Sequence, residues 1–288
     1  CALPICDDLG LAGVTAKEVL LADGVIKFRN LSHEDIKRAQ QPAGPPTVDL
    51  ESELLDDDEE DGFPNVDQML ESLKFEAHNL VDLAANTVFM RRLTPKSHLF
   101  GPDSDETAIF ENFPDPRVRA KIDLRALKLC RQELRKVVGS QAVPRICVPV
   151  SFETVANNYT KNLFLKVAQK IPQPARRMIA FQILAVPAGV AQNRLVEIIS
   201  TVRPFCSGAI LSLDAAFRDF STLAEHNPIA VCCDRAGTDG TDMLIAGARS
   251  AGIATLVHSV RAQSTRDQAI SLGVTYGCGP FFGAESLA

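Results

Sequence analysis

The sequence predicts an α/β chain whose larger part folds as a β/α barrel, and three observations carry that expectation. The last third repeats one unit three times: a short apolar run ending in a polar residue, then a helix-like segment. The runs are Ala209-Ile-Leu-Ser-Leu-Asp214, Ile229-Ala-Val-Cys-Cys-Asp234 and Ala254-Thr-Leu-Val-His258. Apolar runs of that length alternating with helical segments are the pattern of parallel strands joined by crossover helices. Strand runs recur at regular spacing to the end of the chain, and no glycine-rich phosphate loop follows the first of them. Both facts favour a closed barrel over an open doubly wound sheet. Polar residues at the C-terminal ends of barrel strands are where such folds hold their chemistry, which singles out Asp214, Asp234 and His258.

Taken in order, residues 1–40 read as a short α-rich segment, with a turn at Asp23-Gly24 and a helix start at Ser32-His-Glu-Asp35. Residues 41–65 read as a linker. Gln41-Pro-Ala-Gly-Pro-Pro46 cannot continue a helix, and the run from Asp49 to Asp61 holds nine acids and no base. The barrel is expected over residues 66–288. Asn65 to Phe75 has helical spacing, with Val66, Met69, Leu70 and Leu73 on one face. Leu80–Leu83 and Thr87–Met90 form a hairpin around Ala84-Ala-Asn86. Residues 94–116 are polar and proline-rich, the composition of a surface loop. Ile122–Val138 is an amphipathic helix with Leu124, Leu127, Cys130 and Leu134 in one stripe and bases over much of the other face. Strands follow at Arg145–Ser151 and Met178–Leu184, with helices at Asn158–Ile171 and Gly189–Thr201. Ala215–His226, Asp242–Ala251 and Thr265–Leu272 are the crossover helices of the repeated units, and Tyr276-Gly-Cys-Gly279 is the last strand.

The net charge of −6 argues against general nucleic-acid binding, which needs a basic face. No apolar run approaches the roughly 18 residues of a membrane span. The N-terminus lacks the layout of a signal peptide, and a start at Cys1 rather than Met is expected of a piece of a longer protein. The eight cysteines include no Cys-x-x-Cys pair, so reduced thiols in a cytoplasmic protein are expected, without a metal or other cofactor.

From about Phe75 to Gly283 the ordered landmarks resemble the EAL-type cyclic-di-GMP phosphodiesterase domain. Ile210-Leu-Ser-Leu-Asp-Ala-Ala-Phe-Arg-Asp-Phe-Ser-Thr-Leu223 is similar to that family's aspartate-pair segment. Val231-Cys-Cys-Asp234 stands for its Lys-Ile-Asp strand end, and Val257-His-Ser-Val-Arg261 for its Ala-Glu-Gly-Val-Glu stretch. Leu272-Gly273, Tyr276-Gly-Cys-Gly279 and Phe281-Phe-Gly283 resemble its closing pattern. Arg145-Ile-Cys-Val-Pro-Val-Ser151 resembles its Val-Asn-Leu-Ser strand, Phe181-Gln-Ile183 its Glu-Ile-Thr-Glu strand, and Val88-Phe-Met-Arg-Arg92 the Glu-Ala-Leu-Leu-Arg signature. The resemblance implies a TIM-like barrel and a link to cyclic-di-GMP.

The departures from the family pattern bear on activity. The resemblance implies that acid and amide side chains at the strand ends hold two divalent metals, which activate a water for in-line attack on a phosphodiester. By the same alignment Val88, Pro149, Gln182, Ala215, Cys232, His258, Arg261 and Cys278 replace residues of that machinery, leaving Asp214 and Asp234. The expectation is an inactive regulatory scaffold without metal, with an unidentified signalling protein as partner and a homodimer left open. Metal-independent cyclic-di-GMP binding by Arg92, Asp214, Asp234, His258 and Arg261 stays open beside it, with Arg92 as the principal phosphate donor. The alternative class is a β/α-barrel enzyme of different chemistry using Asp214, Asp234 and His258.

Overall fold

The computed structural model describes residues 17–22, 25–30, 70–71, 73–97, 109, 115–136, 145–233, 236–237 and 239–287. The chain divides into two compact units, Cys1–Gly62 and Phe63–Ala288. In the first, β1 (Lys17–Ala22) and β2 (Val25–Asn30) pair antiparallel with Ala22 opposite Val25. These described residues are strands within a segment expected to be α-rich; the helix start expected at Ser32-His-Glu-Asp35 lies outside the described residues. The register leaves Asp23-Gly24 between them, and Asp-Gly is the dipeptide of a two-residue hairpin connection, a stronger local signal than helix propensity. The acidic linker, residues 41–65, lies outside the described residues.

The second unit is a closed barrel. β3 (Lys74–Asp82) and β4 (Thr87–Lys96) form an antiparallel hairpin. β5 (Arg145–Ser151), β6 (Ile179–Val186), β7 (Ala209–Leu213), β8 (Ala230–Cys233), β9 (Thr255–Val257) and β10 (Tyr276–Cys278) then add in sequence order, each parallel to the one before. β10 returns to pair antiparallel with β3, which closes the ring of eight strands. β11 (Ala284–Leu287) continues past β10 along the rest of β3.

Helices α1 (Pro116–Lys136), α2 (Phe152–Ala156), α3 (Asn158–Gln169), α4 (Gln173–Arg176), α5 (Gln192–Val202), α6 (Ser221–Glu225), α7 (Asp239–Ser250) and α8 (Gln263–Ser271) provide the connections. Asn157 shows how sequence sets a helix start: its Oδ1 accepts from the Tyr159 N–H at 2.9 Å, a side-chain cap for α3. Asp123, only 1% exposed on α1, accepts from the Ser151 N–H at 2.8 Å and the Thr154 hydroxyl at 2.6 Å. It thereby ties the end of β5 to α1.

Several segments differ from the sequence expectation. Phe75, expected to end a helix, lies in β3. Thr94–Lys96, expected in a surface loop, complete β4, and Thr94, Ser97 and Ile109 are buried. A barrel interior accepts polar side chains that pair with one another, and composition alone reads them as a loop. The crossover expected at Ala215–His226 is helical only over Ser221–Glu225, because Asp214 Oδ1 takes the Ala216 N–H at 2.8 Å and holds a turn there.

Two apolar clusters sit on the two faces of the barrel wall. One packs the wall against the helices around Phe164 and Phe181, whose rings meet edge to face at 5.3 Å. The other fills the barrel itself: Leu80, Met90, Cys147, Ala180, Ile210, Ala230, Cys232, Leu256 and Cys278. Every strand from β3 to β10 contributes to this plug, and small alanines and cysteines alternate with larger side chains to fit the narrow bore.

Candidate functional site in the barrel mouth

Strand side chains alternate faces with period two, so the interior residue after each plug residue lies two positions on. On β4, β6 and β7 those residues are Arg92, Gln182 and Ser212, and His258, directly after β9, takes the same step; on β8 the step leads to Cys232, which still packs in the plug. β3 runs the other way and brings His78, two positions before Leu80. This second layer sits toward the C-terminal ends of the parallel strands, the end where barrel chemistry is housed.

Gln182, fully buried, is its hub. Its Oε1 accepts from Arg92 Nε at 2.5 Å and from the Cys147 thiol at 3.9 Å between heavy atoms. Its Nε2 donates to Ser212 Oγ at 2.8 Å and to His258 Nε2 at 2.8 Å. An amide nitrogen only donates, so Nε2 of His258 is the accepting, unprotonated nitrogen. Arg92, 4% exposed, also donates from Nη1 to Thr94 Oγ1 at 2.9 Å. His78 Nε2 meets Glu76 Oε2 at 3.0 Å on the same wall.

The electrostatics keep the ring of His258 neutral. Burial, then the Arg92 guanidinium, then His78 push its pKa well below the usual 6.5. His78 is also lowered, chiefly by burial; its bond to Glu76 opposes the shift, and Arg92 and Lys96 reinforce it.

The remaining expected site residues are distributed around this layer. Asp214 directly follows β7 and His258 directly follows β9, so both stand at the same mouth. Asp214 is exposed and its carboxylate holds the Ala216 turn. Among the described residues no hydrogen bond joins Asp214 to His258. Arg261 is exposed in the β9–α8 connection. Asp234 lies outside the described residues. The backbone is strained beside the layer: Ala185, at the β6 irregularity, has φ +52°, and Ser259, next to His258, has φ +59°.

Val88 is a correction. The alignment with the signature motif put it at the level of a metal-ligand glutamate. It is instead 51% exposed at the start of β4, two residues before Met90, which is level with the first residue of β5. That is the opposite end of the barrel from Asp214 and His258. The β4 side chain in the layer is Arg92. Sequence reasoning named Arg92, Gln182, Cys232 and His258 but missed His78, Thr94 and Ser212. Period-two counting from Asp214 and Arg92 would have found the last two. Among the described residues no group of three or more His, Cys, Asp or Glu side chains is arranged to hold a metal ion.

No protein-family model and no curated protein matches the sequence. Solved structures do match the fold. The PaMucR phosphodiesterase in complex with c-di-GMP superposes with a TM-score of 0.60 at 13% identity, covering 78% of this chain and 96% of that one. The fold is that of an EAL domain. The Vibrio cholerae LapD S helix-GGDEF-EAL structure gives a TM-score of 0.60 at 13% identity, over 74% of this chain and 54% of that one. The Bacillus subtilis YkuI protein, solved with c-di-GMP and calcium, gives 0.56 at 11% identity, over 78% of this chain and 57% of that one. The chain thus spans about half the length of the LapD and YkuI chains. Among the described residues no helix is long and apolar enough to cross a membrane.

Proposed function

We propose that this chain is a catalytically inactive EAL-type domain that serves as a regulatory scaffold in a bacterial, cytoplasmic cyclic-di-GMP pathway. The observation that carries the proposal is the buried Arg92 guanidinium bonded to Gln182 in the layer below the mouth. Two-metal phosphodiester hydrolysis needs oxygen ligands that neutralise closely spaced divalent ions. Here that layer holds a permanent cation, a neutral amide, a hydroxyl and a neutral imidazole, with their hydrogen-bonding groups turned on one another. A divalent ion would meet charge repulsion from Arg92 and would have to break the Gln182 bonds.

A second reading is favoured by the same charges. Among the described residues no group of three or more His, Cys, Asp or Glu gathers at the mouth, and Arg92 adds a permanent cation, so cyclic-di-GMP binding without metal by Arg92, Asp214, Asp234, His258 and Arg261 is physically consistent. Two features weigh against Arg92 as its principal donor: the side chain is buried, and Nε and Nη1 are already committed to Gln182 and Thr94. The exposed Arg261 is the better placed phosphate donor. The alternative enzyme reading draws no support from Asp214 and His258, which share no bond.

Calorimetry with cyclic-di-GMP, with and without magnesium, tests the proposal. The scaffold form gives no binding heat in either buffer. The receptor form gives a metal-independent isotherm that Arg261→Ala weakens. Binding that requires magnesium contradicts both.

A further inference from the structure

Helix α1 carries a feature that the barrel mouth does not use. Arg117, Lys121, Arg125, Lys128, Arg131 and Arg135 are separated by steps of four, four, three, three and four residues. That spacing follows the 3.6-residue repeat, so the six bases lie on one side of the helix. The opposite side carries the buried Val118, Ile122, Ala126, Leu127, Cys130 and Leu134. The helix's two acids are off the stripe: Asp123 is buried, and Glu133, half-buried, lies on the apolar side. From Arg117 to Arg135 the stripe runs about 27 Å at about 1.5 Å per residue.

The local structure compensates only part of this charge. Arg117 pairs with Asp115 at 3.2 Å, and Arg125 donates to the Leu70 carbonyl. Among the described residues Lys128, Arg131 and Arg135 form no ion pair, and the Arg131 Nε is buried without a hydrogen-bond partner. Burial and the neighbouring Arg135 lower the pKa of Arg131. Like charges one helical turn apart destabilise a helix. The C-terminal half of α1 therefore holds charge that the described residues leave unanswered.

We infer that the Lys128–Arg131–Arg135 face of α1 is a docking surface for an acidic polypeptide segment of a partner protein. Charge complementarity selects an anion, and the shape of the stripe selects its kind. It is one helix wide, which suits a single acidic helix or extended segment. A membrane surface would also engage apolar side chains, but among the described residues the exposed large hydrophobics, Val88, Tyr159, Met243, Ile270 and Phe281, all lie on other elements. A nucleic-acid strand would meet the same three bases, and the test below separates it from a polypeptide. This inference is independent of whether the mouth binds a dinucleotide.

The test is fluorescence anisotropy of a labelled 20-residue poly-glutamate probe with the full chain at low salt. Binding should weaken as salt rises, and Lys128→Glu/Arg131→Glu/Arg135→Glu should weaken it by about tenfold or more. The charge-matched control Lys166→Glu/Lys170→Glu/Arg177→Glu changes exposed bases on other elements and should change affinity less than about twofold. If the glutamate variant loses its native circular dichroism, Lys128→Gln/Arg131→Gln/Arg135→Gln replaces it, with the same direction expected. No binding of the probe, or equal loss in the control, overturns the inference. So does tighter binding of a phosphatidylserine vesicle or a 20-nucleotide single strand through these same three residues, which would assign the face to that class instead.

Discussion

Acid should weaken the fold through His258, and the effect can be isolated by one substitution. The folded ring has a pKa well below 6.5, set by burial, Arg92 and His78, while the unfolded ring titrates near its ordinary value. A depressed histidine stabilises the fold fully above the unfolded pKa. Below it the unfolded state binds the proton that the native state refuses, so stability falls as pH drops from about 6.5 toward the folded pKa. A proton bound only by the unfolded state changes stability by at most about 1.4 kcal/mol per pH unit, so His258 alone should account for roughly 1 kcal/mol between pH 7.5 and pH 5.5. His78 adds in the same direction, reduced by its bond to Glu76. Beside these causes, a proton on His258 Nε2 would face the Gln182 Nε2 donor at 2.8 Å. The assay is urea unfolding at several pH values followed by circular dichroism, since the chain has no Trp and only two Tyr. His258→Gln should flatten the profile by about one proton. Parallel pH profiles for the two proteins, or an NMR titration of His258 at 6.5 or above, would refute the reasoning.

Three further substitutions probe the frame of the site. Arg92→Met removes two charge-assisted bonds, to Gln182 and Thr94, and should destabilise by about 2–3 kcal/mol in urea unfolding after relief of guanidinium burial. It should also raise the His258 pKa by NMR, because a nearby cation is gone. Asp123→Ala strands the Ser151 N–H and the Thr154 hydroxyl and should cost about 2–4 kcal/mol, with Asp123→Asn recovering part of it; equal stability of Asp123→Ala and wild type would argue against the β5 tether. Gly279 has φ +149°, and an added Cβ would lie 2.5 Å from the Val260 carbonyl oxygen, so Gly279→Ala should lower stability by at least about 2 kcal/mol in the same assay.

The barrel was legible because apolar strand runs and their spacing are local signals. Six strands, β5 to β10, fall within a few residues of their expected positions, as do the helices α3, α5, α7 and α8. The misreadings share a cause. Thr94 to Lys96 look like loop because the network that takes up Thr94 needs the fold: Thr94 accepts from Arg92, which reaches Gln182, 90 residues away. The Ala215–Phe220 stretch has helical spacing, yet Asp214 captures its first turn and Phe217 and Phe220 pack edge to face at 5.1 Å. The level of Arg92 was hidden for a different reason. A strand's height in a barrel is set by hairpin register, here with an irregularity between Leu80 and Val81, and similarity to a five-residue motif does not encode it. The replacement of acids at Gln182 and His258 was visible, but the network joining them to Arg92 needed the fold.

The most direct measurement is hydrolysis of cyclic-di-GMP by the purified chain with magnesium or manganese. With Arg92, Gln182 and His258 bonded in the layer beneath the mouth, the account predicts no linear dinucleotide above the protein-free control. Linear product that forms in proportion to protein, and that Asp214→Ala abolishes, would contradict it.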